Sequence, residues 1–143
     1  HSDNIVSKSF LKDELIFICD KNNPLLQKES ITIKDLETQK FIMREKNSGT
    51  RELVESLLIL HGFSMIPIWE STSTAGIING VAGGIGISVL PLRLVENDIK
   101  ENKIKRLPIA DLNLQRQFYI IYHKNKYLTK ASNEFINMCM EDT

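Results

Sequence analysis

The chain has 143 residues, with 18 Lys and Arg against 18 Asp and Glu, so its formal net charge is zero. That length suits one domain or two small lobes with a sizeable core. The charge balance argues against a nucleic-acid surface spread over the whole chain, because such binding works by neutralising phosphates, and no apolar run is long enough to span a bilayer.

His1 to Lys12 is polar with no clear period, and Glu14 to Cys19 (ELIFIC) reads as a buried strand. Asp20 to Ser30 is a loop with Pro24. Thr32 then opens a short helix, Ile33 to Thr38, on which Asp35 and Glu37 are expected to be solvated. Two strand–hydroxyl–helix units follow. In the first, Lys40 to Arg44 is a strand, Glu45 to Asn47 is polar, and Ser48-Gly49-Thr50-Arg51 opens a helix with Leu53, Val54, Leu57, Leu58 and Leu60 on its apolar side. His61 sits at the dipole end of that helix, and Gly62 is expected to be its left-handed cap. In the second, Met65 to Trp69 is a strand, and Ser71-Thr72-Ser73 opens a helix through Ile77, Ile78, Val81 and Ile85.

Gly83, Gly84 and Gly86 invite a nucleotide-binding reading, but a phosphate loop puts its glycines after a strand and before a helix. Here the order is reversed, so the glycines are expected to cap a helix and turn the chain into a buried strand, Ile85 to Leu90. Pro91 to Asn97 reads as a short helix with proline at its first position. Ile104 to Pro108 is a strand, which explains the basic run Lys103 to Arg106 as one solvated face. Phe118 to Tyr122 marks a strand within Asn113 to Tyr122, and Thr129 caps a last helix ending at Met140 with Phe135, Ile136 and Met138 to Met140 as its apolar part. The alternation in the middle implies an α/β sheet with parallel strands.

The chemistry of the side chains narrows the function. Cys19 and Cys139 form no C-x-x-C pair and read as reduced, buried thiols of a cytoplasmic protein without a signal peptide. His1, His61 and His123 have no metal-ligand spacing, so no metal and no cofactor are expected. Ser48 and Ser88 lack a hydrolase nucleophile context and no catalytic group stands out, so the chain does not read as an enzyme. In open parallel sheets, by contrast, the loops at the carboxyl ends of the strands share one edge, and ligands bind there. The paired turns therefore point to a small-molecule site.

Four stretches carry a family resemblance: Leu11 to Leu25 (LKDELIFICDKNNPL), Ile42 to Gly62 (IMREKNSGTRELVESLLILHG), Val81 to Pro91 (VAGGIGISVLP) and Gln115 to Lys126 (QRQFYIIYHKNK). In that order they resemble the effector-binding domain of LysR-type transcriptional regulators. The resemblance implies an α/β fold like that of type 2 periplasmic binding proteins, with two lobes joined by two crossover strands and a small molecule in the cleft. It implies one near-complete lobe, residues 20–115, and a remnant of the other in residues 1–19 and 116–143. The helix-turn-helix DNA-binding domain, its linker helix and the opening of the first lobe would be missing, so the chain reads as truncated on its N-terminal side. DNA would be met only through that absent domain, and the full-length protein would be a homodimer or tetramer. The effector-contacting residues implied are Glu45, Ser48, Gly49 and Thr50 from the first turn and Ser71, Thr72 and Ser73 from the second. A polar metabolite or carboxylate is the expected effector, with Arg44 or Arg51 offsetting the charge of Glu45. A lobe of a type 2 solute-binding protein of a transport system is the alternative.

Overall fold

The computed structural model describes residues 4–124 and 127–141. His1 to Asp3, and Asn125 and Lys126 at the end of the Gln115 to Lys126 stretch, lie outside the described residues. The strands are β1 (Ile5–Cys19), β2 (Ile42–Arg44), β3 (Trp69–Ser71), β4 (Ser88–Pro91), β5 (Lys105–Leu107) and β6 (Gln115–His123). The helices are α1 (Gly49–Leu60), α2 (Thr74–Ala82), α3 (Leu92–Lys100) and α4 (Lys130–Glu141). The chain divides into two compact units, Glu14–Leu114 and a smaller one made of His1–Asp13 with Gln115–Thr143.

In the larger unit, β2 and β3 run parallel, with Ile42 opposite Trp69 and Arg44 opposite Ser71. A parallel bridge between Phe41 and Ile87 ties this pair to β4, through Ile42 N–H to the Ile87 carbonyl at 2.9 Å and Ile87 N–H to the Lys40 carbonyl at 2.8 Å. The inner half of β1 is antiparallel to both β4 and β5. The sheet is therefore mixed, and the parallel order expected from the βα alternation holds only for β2, β3 and β4.

Alternate residues divide the apolar core between the two faces of this sheet, as a two-residue period requires. Phe41, Met43, Val89, Leu15 and Phe17 pack with Val54 and Leu58 of α1. Ile42, Leu90, Ile16 and Ile18 pack with Ile77, Ile78 and Val81 of α2 and Val95 of α3. Each fully buried aliphatic side chain contributes about 1.5–3 kcal/mol, so the two helices are held to opposite faces by their own apolar stripes.

Three helices end in the same 6→1 turn. Phe63 N–H reaches the Leu58 carbonyl, Ile85 N–H the Gly80 carbonyl and Lys103 N–H the Asp98 carbonyl. Gly62 (φ 76°) and Gly84 (φ 77°) take the left-handed position in the first two, and Asn102 in the third. Gly86 answers a different need, since a Cβ there would lie 2.6 Å from the Lys40 carbonyl oxygen.

Several sequence expectations shift. β1 begins at Ile5, inside the stretch read as aperiodic, because its outer half pairs with β6. The strand expected over Met65 to Trp69 is Trp69–Ser71. Ser71 closes that strand, while Ile68 only donates to the Phe41 carbonyl. Ile85 is exposed rather than core, because it is the residue that closes the turn after α2. Pro91 ends β4, and α3 starts one residue later and runs to Lys100. Asp35 is not simply solvated: it completes a capping box with Thr32. The Lys28 ammonium and the Thr32 amide hold its carboxyl below the usual range.

The smaller unit is thinner. β6 pairs with β1, Phe10 and Phe118 stack with centroids 6.3 Å apart, and a buried Asp13 carboxylate takes Arg116 Nη2 at 2.6 Å. Thr129 caps α4 through the Ser132 amide, and Ile136 is buried. Phe135, Met138 and Met140, expected on the apolar side, are exposed.

Candidate functional site

The parallel register of β2 and β3 sets the site. Arg44 and Ser71 are the last residues of adjacent strands, so the chain leaves both strands at the same sheet edge and enters α1 and α2 there. Each helix is opened by a serine N-cap. The Ser48 hydroxyl accepts from the Arg51 amide and the Ser73 hydroxyl from the Gly76 amide, both at 3.1 Å. These caps satisfy one amide each. The amides of Gly49 and Thr50, and of Thr74 and Ala75, have no acceptor within their helices and carry the positive ends of two helix dipoles.

The two turns are built differently. Ser48 and Thr50 are buried, and Gly49 is the exposed residue between them. The Ser71 hydroxyl accepts from the Ser73 amide at 3.0 Å, forming a turn within the turn. Thr72 and Ser73 are exposed, and Thr72 presents a hydroxyl with no partner among the described residues. The structure thus brings the seven residues expected from sequence to one edge. Gly49 and Thr72 reach solvent most directly, Ser48 and Ser73 act as caps, and the Thr50 side chain is turned inward.

The charges depart from expectation. Glu45 is bound by Arg44 in fork geometry, Nε to Oε2 and Nη2 to Oε1, both at 3.0 Å. Hydrogen bonding to Arg44 and to its own amide holds the Glu45 carboxyl below its ordinary value. Arg51, with its side chain only 5% exposed, is committed to Glu55 at 2.6 Å and Glu70 at 2.7 Å, and Nη1 donates to the Arg44 carbonyl. Burial pulls the guanidinium down, but hydrogen bonds to Glu70 and Glu55 outweigh it and its pKa lies above the ordinary value. Arg44 does offset Glu45, as expected, but in doing so it is used up, and Arg51 is spent on two other carboxylates. The signal for Glu70 was its place before the serine turn. Nothing local marked it as the partner of a residue 19 positions earlier in the chain.

Among the described residues, no group of three or more His, Cys, Asp or Glu side chains could hold a metal ion, and no helix is long and apolar enough to cross a membrane. Cys19 is buried, which with the charge of Asp20 pushes its thiol up to about 12, so it is held as an inert thiol, whereas Cys139, also expected to be buried, is only half-buried on α4.

An open α/β sheet with two strand-to-helix turns at one edge is an arrangement that binds small molecules. A family model described as the LysR substrate binding domain matches residues 1–143, and the chain belongs to that family. It is 31% identical over 139 residues to the uncharacterized HTH-type transcriptional regulator YeiE of Escherichia coli strain K12, covering 97% of this chain and 47% of that protein. It is similar to the regulatory domain of CcmR from Synechocystis PCC6803 in complex with 2-PG, with a TM-score of 0.84 and 30% identity over 100% of this chain and 69% of that one. It also shares the fold of the effector-binding domain of QuiR in complex with shikimate, with a TM-score of 0.77 and 23% identity over 99% of this chain and 66% of that one. The chain spans about half the length of the curated relatives it matches. Its fold is that of LysR regulatory domains, the type 2 periplasmic-binding-protein-like class.

Proposed function

We propose that the chain is the effector-sensing part of a DNA-binding transcriptional regulator in the cytoplasm, and that it acts by binding rather than by catalysis. Residues 20–115 form its second lobe, and residues 1–19 with 116–143 form the crossover strands and part of the first. The effector is a small polar metabolite or carboxylate held against the edge made by Gly49, Thr50, Thr72 and Ser73, with Glu45, Ser48 and Ser71 shaping the turns. In the full-length protein, a homodimer or tetramer, effector binding shifts the balance between forms that sit differently on DNA.

The observation that carries this reading is the register of Arg44 against Ser71, by which the chain leaves both strands at one sheet edge before entering α1 and α2. Backbone amides at such termini bind anions without a cationic side chain. The likeness to the CcmR domain in complex with 2-PG supports a ligand of that size. The test is a thermal-shift panel of small hydroxy acids on the wild-type chain and on the Ser48→Ala/Thr72→Ala double variant. Acids that raise the wild-type midpoint should fail to raise that of the variant. Equal stabilisation of both proteins by the same acids would remove these turns from the site.

A further inference from the structure

The two units of the chain are unequally filled. Both buried apolar clusters are made of residues from the larger unit, Leu15 to Leu114. Among the described residues of the smaller unit, only Asp13 and Ile136 are buried. Its framework is a two-stranded ribbon, β6 on the outer half of β1, with α4 as its helix. Such a ribbon is marginal in water unless further strands or a helix bury one of its faces. Here α4 commits one buried side chain, Ile136, to that task, and Tyr119, Ile121, Phe135 and Met138 stay exposed.

What closes the smaller unit is polar. Asp13 and Glu14 are consecutive carboxylates on β1, so they point to opposite faces of the strand, and each meets an arginine of a neighbouring strand. Asp13 takes Arg116 of β6, with 3% and 19% of their side chains exposed, and the Arg116 guanidinium lies 5.2 Å from the centroid of the Phe118 ring. Glu14 takes Arg106 of β5, with 32% and 46% exposed. The two pairs therefore differ in weight. An exposed pair contributes little, whereas removing one partner of a buried pair strands a charge away from water. The closed form also carries a defect, since Arg116 Nε is buried with no acceptor.

We infer that the smaller unit is a conformational device: it opens and closes as one piece while the larger unit stays folded, and the Asp13–Arg116 pair is the contact that closes it. This inference does not rest on the proposed function. Opening leaves Glu45 to Ser73 in place, because those residues belong to the larger unit, so the chain has two forms with the same sheet edge. Elements that move in regulation are drawn from the low-stability end of a fold. The smaller unit is that end, with apolar surface in water, one buried apolar side chain among its described residues and a buried donor left unmet.

Native-state amide hydrogen exchange on the whole chain tests this. Amides of β6 and α4 should exchange at least a hundredfold faster than those of β2, α1 and α2. With added denaturant their rates should converge on one common opening, below the midpoint at which the larger unit unfolds. Arg116→Met should speed exchange in β6 and α4 at least tenfold and leave β2, α1 and α2 within threefold. A variant in which β6 and α4 lose all protection while β2, α1 and α2 keep theirs is the same result in its extreme form. Arg106→Met, which removes the exposed pair, should leave both sets within threefold. Asp13→Asn/Arg116→Met leaves no unpaired carboxylate and should exchange in β6 and α4 at least threefold more slowly than Arg116→Met alone. The inference is overturned if all these amides share one opening, or if Arg116→Met speeds both sets alike or neither. It is also overturned if Arg106→Met has as large an effect, or if the double variant exchanges as fast as Arg116→Met.

Discussion

The two turns at the sheet edge share a plan and differ in how they are anchored. The turn before α1 is clamped: Ser48 is buried, and Arg51 ties the helix to Glu55, to Glu70 of β3 and to the Arg44 carbonyl. The turn before α2 has hydroxyls and no ion pair. Ser71 and Ser73 bond to nearby amides, and Thr72 stands exposed. In the proposed site, the first turn would fix the geometry of the edge and the second would offer it adaptable donors. A binding edge needs both, since donors that must be reorganised on binding cost affinity.

The largest effect should come from the clamp. Arg51→Met removes hydrogen bonds to two carboxylates and should lower unfolding stability by about 2–3 kcal/mol, measured by denaturant titration. A loss below about 0.5 kcal/mol would mean that packing alone sets the edge. A smaller effect separates the two caps. Ser48→Ala leaves the Arg51 amide orphaned in a buried setting and should cost about 1–2 kcal/mol, while Ser73→Ala exposes its orphan to water and should cost about 0.5 kcal/mol. Equal costs would erase the distinction between a clamped and an open turn.

The same contrast explains what was legible in the sequence. Local chemistry read well: the helix start at Ser48 to Arg51, Gly62 and Gly84 as turn residues, and Val54 and Leu58 on the apolar side of α1 each depend on neighbours within a few positions, whereas Leu60, expected on that side, is 79% exposed. The start of β1 at Ile5 did not, because its outer half is polar and its partner β6 lies about a hundred residues away in the chain. The strand at Trp69–Ser71 was displaced for a similar reason. Met65 to Ile68 has the composition of a strand, but the ladder is decided by the register against Ile42 to Arg44. At the sheet edge, the two helix starts were legible because hydroxyls and glycine before an apolar period are local signals, whereas Glu45 was named only from the family resemblance. The pairing of Arg51 with Glu70 is a product of the sheet, and it changed the electrostatic reading from available cations to committed ones.

The central claim is that the two helix N-termini at one sheet edge form the ligand-binding edge, and amide-resolved NMR tests it most directly. The strongest hydroxy acid from the thermal panel is titrated into the isotopically labelled chain. The account predicts saturable shifts concentrated at the amides of Gly49, Thr50, Thr74 and Ala75, with Thr72 and Ser73 following the same curve. Saturable shifts confined to other surfaces, such as the segment Pro108 to Ala110, with these six amides unmoved, would contradict it.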